Sequence, residues 1–155
     1  MFSKLGALFR RHRQDPYRAA LADLAQGHPQ HALEALEALL DDPESDRALL
    51  LNKCGVALVD LGRKDEARSR FLEALAARPR FAPALTNLGN LLLEEGDSAA
   101  ALEQYESALL ADDDYGLAHA NRAVALKRLG RHGEAVRALR RADRLAGSVF
   151  PKRRA

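Results

Sequence analysis

The stretch "NLGNLLLEEGDSAAALEQYESALLADDDY", Asn87 to Tyr115, decides the fold, because it has a counterpart thirty-four residues earlier. That counterpart, Lys53 to Phe81, reads "KCGVALVDLGRKDEARSRFLEALAARPRF". The apolar skeleton is shared and the charges are not: the later stretch holds eight acids and no Lys or Arg. The same period relates Gly55, Gly89 and Ala123, then Gly62, Gly96 and Gly130, then Ala67, Ala101 and Ala135. It also relates Phe71, Tyr105 and Leu139, and Ala74, Ala108 and Ala142. A repeat of this length signals an array in which each unit buries its apolar face on its neighbours.

Each period reads as two helices. In Ala48 to Leu61, the residues Leu51, Cys54, Gly55, Leu58 and Leu61 recur at helical spacing. Gly62 marks the turn, since glycine tolerates the positive φ that follows many helix ends. Residues 65–77 form the second helix, with Ala67, Phe71, Ala74 and Leu75 on one face. The small residues let two helices approach, and the aromatic fills the gap beyond them. Asp97 is placed to cap the matching helix of the next period.

This pattern resembles the tetratricopeptide repeat, a helix–turn–helix unit of that period. Counted from Ala48, Ala82 and Gly116, the family's small eighth residue is Gly55, Gly89 and Ala123, and its alanine at the twentieth position is Ala67, Ala101 and Ala135. The family's closing proline survives only as Pro79, with Asp113 and Gly147 in its place later. Its early tryptophan is replaced by Leu51, Leu85 and His119. A degenerate repeat precedes these, opening at Asp15-Pro16, turning at Gly27 and restarting at Pro29, with Ala32, Leu36 and Leu39 inward. The resemblance covers residues 14–147, in frames of about 14–47, 48–81, 82–115 and 116–149. It implies an all-α fold, a right-handed α-solenoid. Residues 1–13 and the basic tail 148–155 flank it. The last repeat is followed only by Val149 and Phe150 as a short apolar cover, so an apolar face is expected to stand partly open there unless the tail, another protein or a second copy covers it.

Composition agrees with helices. Ala and Leu dominate, and aromatics make up only 5% of the 155 residues. The formal charge of +2 selects no partner, and the single Cys54 cannot form an internal disulfide. No run approaches the roughly 20 apolar residues of a membrane span. The N-terminal "MFSKLGALFRRHRQD" lacks the order of a signal peptide, so a cytoplasmic setting is the expectation, peripheral at a membrane in one reading.

No nucleophile, base or metal constellation is recognisable, so neither an enzyme nor a cofactor is expected. Cys54 stands where the repeat needs a small packed residue. His28 and His31 lack the further ligands of a metal site. The run Asp112 to Asp114 lacks the spaced ligands of a calcium loop.

The resemblance implies instead a concave groove lined by the first helices of successive repeats. Its lining positions here include Asn52, Lys53 and Val56, then Thr86, Asn87, Asn90 and Leu93, then Asn121, Val124, Lys127 and Arg128. Asn87 and Asn121 match asparagines that family members use to hold an extended peptide. A carboxamide both donates and accepts, so it can pair with any peptide's backbone. The same asparagines could instead be exposed polar residues or be bonded to the adjacent helix. Asn90 and Asn121 also match two positions of the family's clamp for a terminal carboxylate, but Thr86 stands where that clamp has lysine.

Charge is segregated as well. Residues 81–121 hold eight acids and no Lys or Arg, whereas residues 122–155 hold eleven Lys and Arg and two acids. No stacking aromatics interleave the arginines, so nucleic acid is not the expected partner. At the N-terminus, Phe2, Leu5, Leu8 and Phe9 form an apolar stripe beside Lys4, Arg10, Arg11 and Arg13. That segment either caps the array or docks on an anionic membrane surface. The sequence therefore predicts a non-enzymatic scaffold or adaptor binding a protein or peptide in its groove. The alternatives are a membrane-associated adaptor or a self-assembling homo-oligomeric scaffold.

Overall fold

A computed structural model describes residues 15–149 of the chain. The N-terminal stripe of Phe2, Leu5, Leu8 and Phe9 lies outside the described residues, as do Phe150 and the basic end of the tail. The described residues form eight helices and no strand. In chain order they are α1 (Pro16–Ala25), α2 (Pro29–Leu39), α3 (Arg47–Asp60), α4 (Lys64–Ala77), α5 (Ala82–Glu94), α6 (Ser98–Ala111), α7 (Gly116–Arg128) and α8 (His132–Val149). They fall into two compact units that divide within α4, between Arg70 and Phe71.

Aspartates cap the starts of α1, α3 and α6. Asp15 accepts from the Tyr17 amide at 3.1 Å, with Pro16 in the first turn. Asp46 accepts from Leu49 N at 3.1 Å, and Asp97 from Ala100 N at 2.9 Å. Each such cap satisfies an amide that the helix itself cannot. Four glycines close the first helices of the repeats. Gly27, Gly62, Gly96 and Gly130 have φ of 78°, 75°, 92° and 75°. In each case the following amide reaches back five residues, as Asp97 N does to Leu92 O at 3.0 Å. This paired reverse bonding requires a left-handed residue, which glycine supplies without a Cβ clash.

In the first unit α1 packs on α2 and α2 on α3. Ala20, Ala32, Leu33 and Leu36 are buried, and most of the circumference of α3 is enclosed. Arg70 donates to Glu37 at 2.9 Å. In the second unit α5 packs on α6, α6 on α7 and α7 on α8, and α5 also touches α7. Its core holds Leu93, Ala101, Leu102, Tyr105, Ala123, Leu126 and Ala138. The pairing of small and large residues is direct: a Cβ on Gly89 would meet Tyr105 Cε1 at 2.5 Å. The eight acids of 87–115 are all exposed, outside the packing positions. Some tie one repeat to the next: Glu106 pairs with Arg122 at 3.2 Å, and Asp114 with Arg141 at 2.7 Å.

Among the described residues no helix is long and apolar enough to cross a membrane. Cys54 is buried, as the repeat requires.

Candidate functional site

The asparagines gather on the face shared by α5 and α7 in the second unit. Asn87 and Asn90 lie one turn apart on α5, and Asn121 and Val124 one turn apart on α7. Asn121 Nδ2 donates to Asn90 Oδ1 at 2.7 Å, which joins the two pairs into one stripe. The same Oδ1 accepts from Tyr105 Oη at 2.9 Å. Asn90 Oδ1 therefore uses both lone pairs inside the protein. Its Nδ2, and Asn121 Oδ1, make no hydrogen bond among the described residues. The pair thus offers one donor and one acceptor side by side, as an extended backbone's C=O and N–H require.

Burial and charge set the rest of the site. Removal from water pushes the Tyr105 phenol up to about 12; Arg128 opposes the shift and Glu94 adds to it. The ring is thus a fixed donor to Asn90 at neutral pH. Arg128 Nη1 donates to Leu93 O at 2.7 Å, near the C-terminal end of α5. That carbonyl also accepts from the Gly96 amide at 3.2 Å, so the guanidinium adds a charged donor to an already bonded helix end. Val124 and Leu117 are exposed, and Lys127 projects without an ion pair among the described residues.

Some expected lining positions turn out differently. Asn52 is only 3% exposed, because α3 is buried around most of its circumference, so its amide is out of a ligand's reach in this structure. Thr86 is 1% exposed and Leu93 is also buried. Lys53 and Val56 are half-buried on α3, in the first unit. Asn87 is half-buried. Two groups escaped the sequence reading. Tyr105 was legible only as a packing aromatic; the signal for its second role is a hydroxyl at a position where the neighbouring repeats carry Phe71 and Leu139. His119, in place of the family tryptophan, is buried and has its Nε2 2.8 Å from Asp113 O.

His31 Nδ1 sits 2.7 Å from Asp23 Oδ2, as an exposed pair. Among the described residues no cluster of three or more His, Cys, Asp or Glu side chains could hold a metal ion.

Comparison with known proteins agrees with this architecture. The tetratricopeptide repeat profile matches residues 17–83, 52–115 and 86–149. Among solved structures, a crystal structure of MamA superposes with a TM-score of 0.68 at 19% identity, covering 93% of this chain and 85% of that one. The first tetratricopeptide domain of Spaghetti (RPAP3), bound to the HSP90 peptide SRMEEVD, gives 0.63 at 24% identity, covering 69% and 85%. The second such domain, bound to the same peptide, gives 0.60 at 23% identity, covering 64% and 92%. At these identities the likeness is one of fold, all-α and of the α-solenoid class.

Proposed function

The chain belongs to the tetratricopeptide repeat family, and from that premise we propose that it is a non-enzymatic scaffold that holds an extended protein segment on the α5–α7 face. The observation that carries this reading is the Asn90–Asn121 pair. Tyr105 and Asn121 both donate to Asn90 Oδ1, so the outward donor and acceptor are fixed before any ligand arrives. Preorganisation of this kind lowers the ordering cost of binding. Backbone pairing makes the site tolerant of sequence, while exposed Val124 and Leu117 offer apolar contact to side chains. Lys127 adds a cation at the edge and favours segments that carry an acid there. The two Spaghetti domains, which are peptide-bound in their solved structures, support the use of this fold for such a ligand.

The test is binding of the full-length chain to a library of short unstructured peptides. Asn121→Ala removes the outward acceptor. It should weaken retained peptides by about 5- to 30-fold, the equivalent of one or two hydrogen bonds. Peptides whose binding survives the combined Asn87→Ala and Asn121→Ala change would overturn the groove reading.

A further inference from the structure

The end of the last repeat carries a stacking surface with nothing of the described chain upon it. Within the second unit α6 packs on α7, and Leu102 and Tyr105 of α6 are 6% and 0% exposed. Thirty-four residues on, α8 has Val136 and Leu139 in the same register, at 49% and 51% exposed. In α6 the neighbouring Glu106 reaches across to Arg122 of α7. In α8 that register holds Arg140, so the sign is reversed.

The first helix carries the complementary surface. Aligned on Gly27 and Gly130, α1 has Ala22 where α7 has fully buried Ala125, and Ala22 is exposed. Ala19 takes the register of Arg122, the residue that answers Glu106 in the array. Asp15, the cap of α1, stands four residues before it, and Asp23, whose carboxylate also meets His31, stands one turn after it on α1. An arginine at the register of Arg140 would therefore meet two carboxylates. The wider charges agree: residues 15–46 hold eight acids and one arginine, and residues 122–149 hold eight Lys and Arg and two acids.

We propose that the α8 face binds the first repeat of a second copy of this chain, with α1 of that copy stacking as the next helix after α8. Leu139 and Val136 supply the apolar contact, Ala22 and Ala19 allow close approach, and Arg140 is set between Asp15 and Asp23. The contact is heterologous: each copy keeps one free face of each kind, so assembly continues beyond a dimer.

Light scattering of the full-length chain across protein concentration and ionic strength tests this. At low salt the mass should rise with concentration above the 17.0 kDa of one chain, and added salt should lower it. Leu139→Glu blocks the α8 face and Ala22→Arg blocks the α1 face. Both positions are exposed, so both variants should fold, with unchanged circular dichroism. Each alone should remain at 17.0 kDa. Mixed together they should form a one-to-one dimer, because each retains the face that the other lacks. A wild-type chain that stays at 17.0 kDa at every concentration overturns the proposal. So does an assembly that both variants leave intact, or one that mixing fails to restore, as in a symmetric dimer.

Discussion

Tyr105 Oη donates to Asn90 Oδ1 at 2.9 Å from a ring with no exposed surface. One residue thus serves two ends of the account. Its ring fills the space that Gly89 leaves, and its hydroxyl orients the amide that presents the site. Tyr105→Phe should cost about 1 kcal/mol, the net value of one hydrogen bond. Asn90→Ala should cost more, about 2 kcal/mol, since it strands a buried phenol. The double variant should cost less than the sum. Denaturant unfolding of the four proteins measures the coupling.

Alkaline stability follows from the same ring. The folded phenol titrates at about 12, above the ordinary value of 10.0. The folded state therefore holds its proton more tightly. This contribution is fully present below pH 10.0 and is lost as pH rises through about 12. The full shift corresponds to roughly 2–3 kcal/mol. Burial also raises Tyr17 and Tyr115, so the wild type retains other alkaline losses. The difference between wild type and Tyr105→Phe, followed as unfolding midpoint against pH, isolates the Tyr105 part.

Glycine has opposite value at two helical positions. Gly89→Ala drives a Cβ to 2.5 Å from the Tyr105 ring and should destabilise by about 1–3 kcal/mol. Gly133 in α8 meets only the far end of Arg137, at 3.9 Å. Gly133→Ala should stabilise by roughly 0.5–1 kcal/mol through helix propensity. Thermal unfolding of the two variants gives the signs.

Removing the Asp97 cap tests a feature read directly from sequence. Asp97→Ala leaves the Ala100 amide without its 2.9 Å acceptor and should cost about 1 kcal/mol. Asp97→Asn, which keeps an acceptor, should restore most of it.

Much of the fold is legible because stacking imposes a strict residue code. Gly62, Gly96 and Gly130 show the turns, and Gly89 with Tyr105 shows the helix contact, since each position tolerates few alternatives. The site is less legible, because a lining position defined by register says nothing of what encloses it. Asn52 and Asn121 stand at adjacent lining positions, the fifth and sixth of their repeats, and Asn52 is closed in whereas Asn121 is joined to Asn90. That bond links residues thirty-one apart and depends on side-chain geometry that no periodicity encodes. The acids of 87–115 are exposed, and the pairing of Glu106, Asp113 and Asp114 with Arg122 and Arg141 of the next repeat depends on side-chain geometry that the sequence pattern does not carry.

The central claim is that a partner segment lies along the α5–α7 face. Site-specific photo-cross-linking in cells tests it most directly, with a photoreactive residue at Val124 on that face or at Leu110, which is 78% exposed on α6. The account predicts adducts from Val124, mapping to an unstructured stretch of the partner and weakened by Asn121→Ala, with none from Leu110. Adducts from Leu110 and none from Val124 would contradict it.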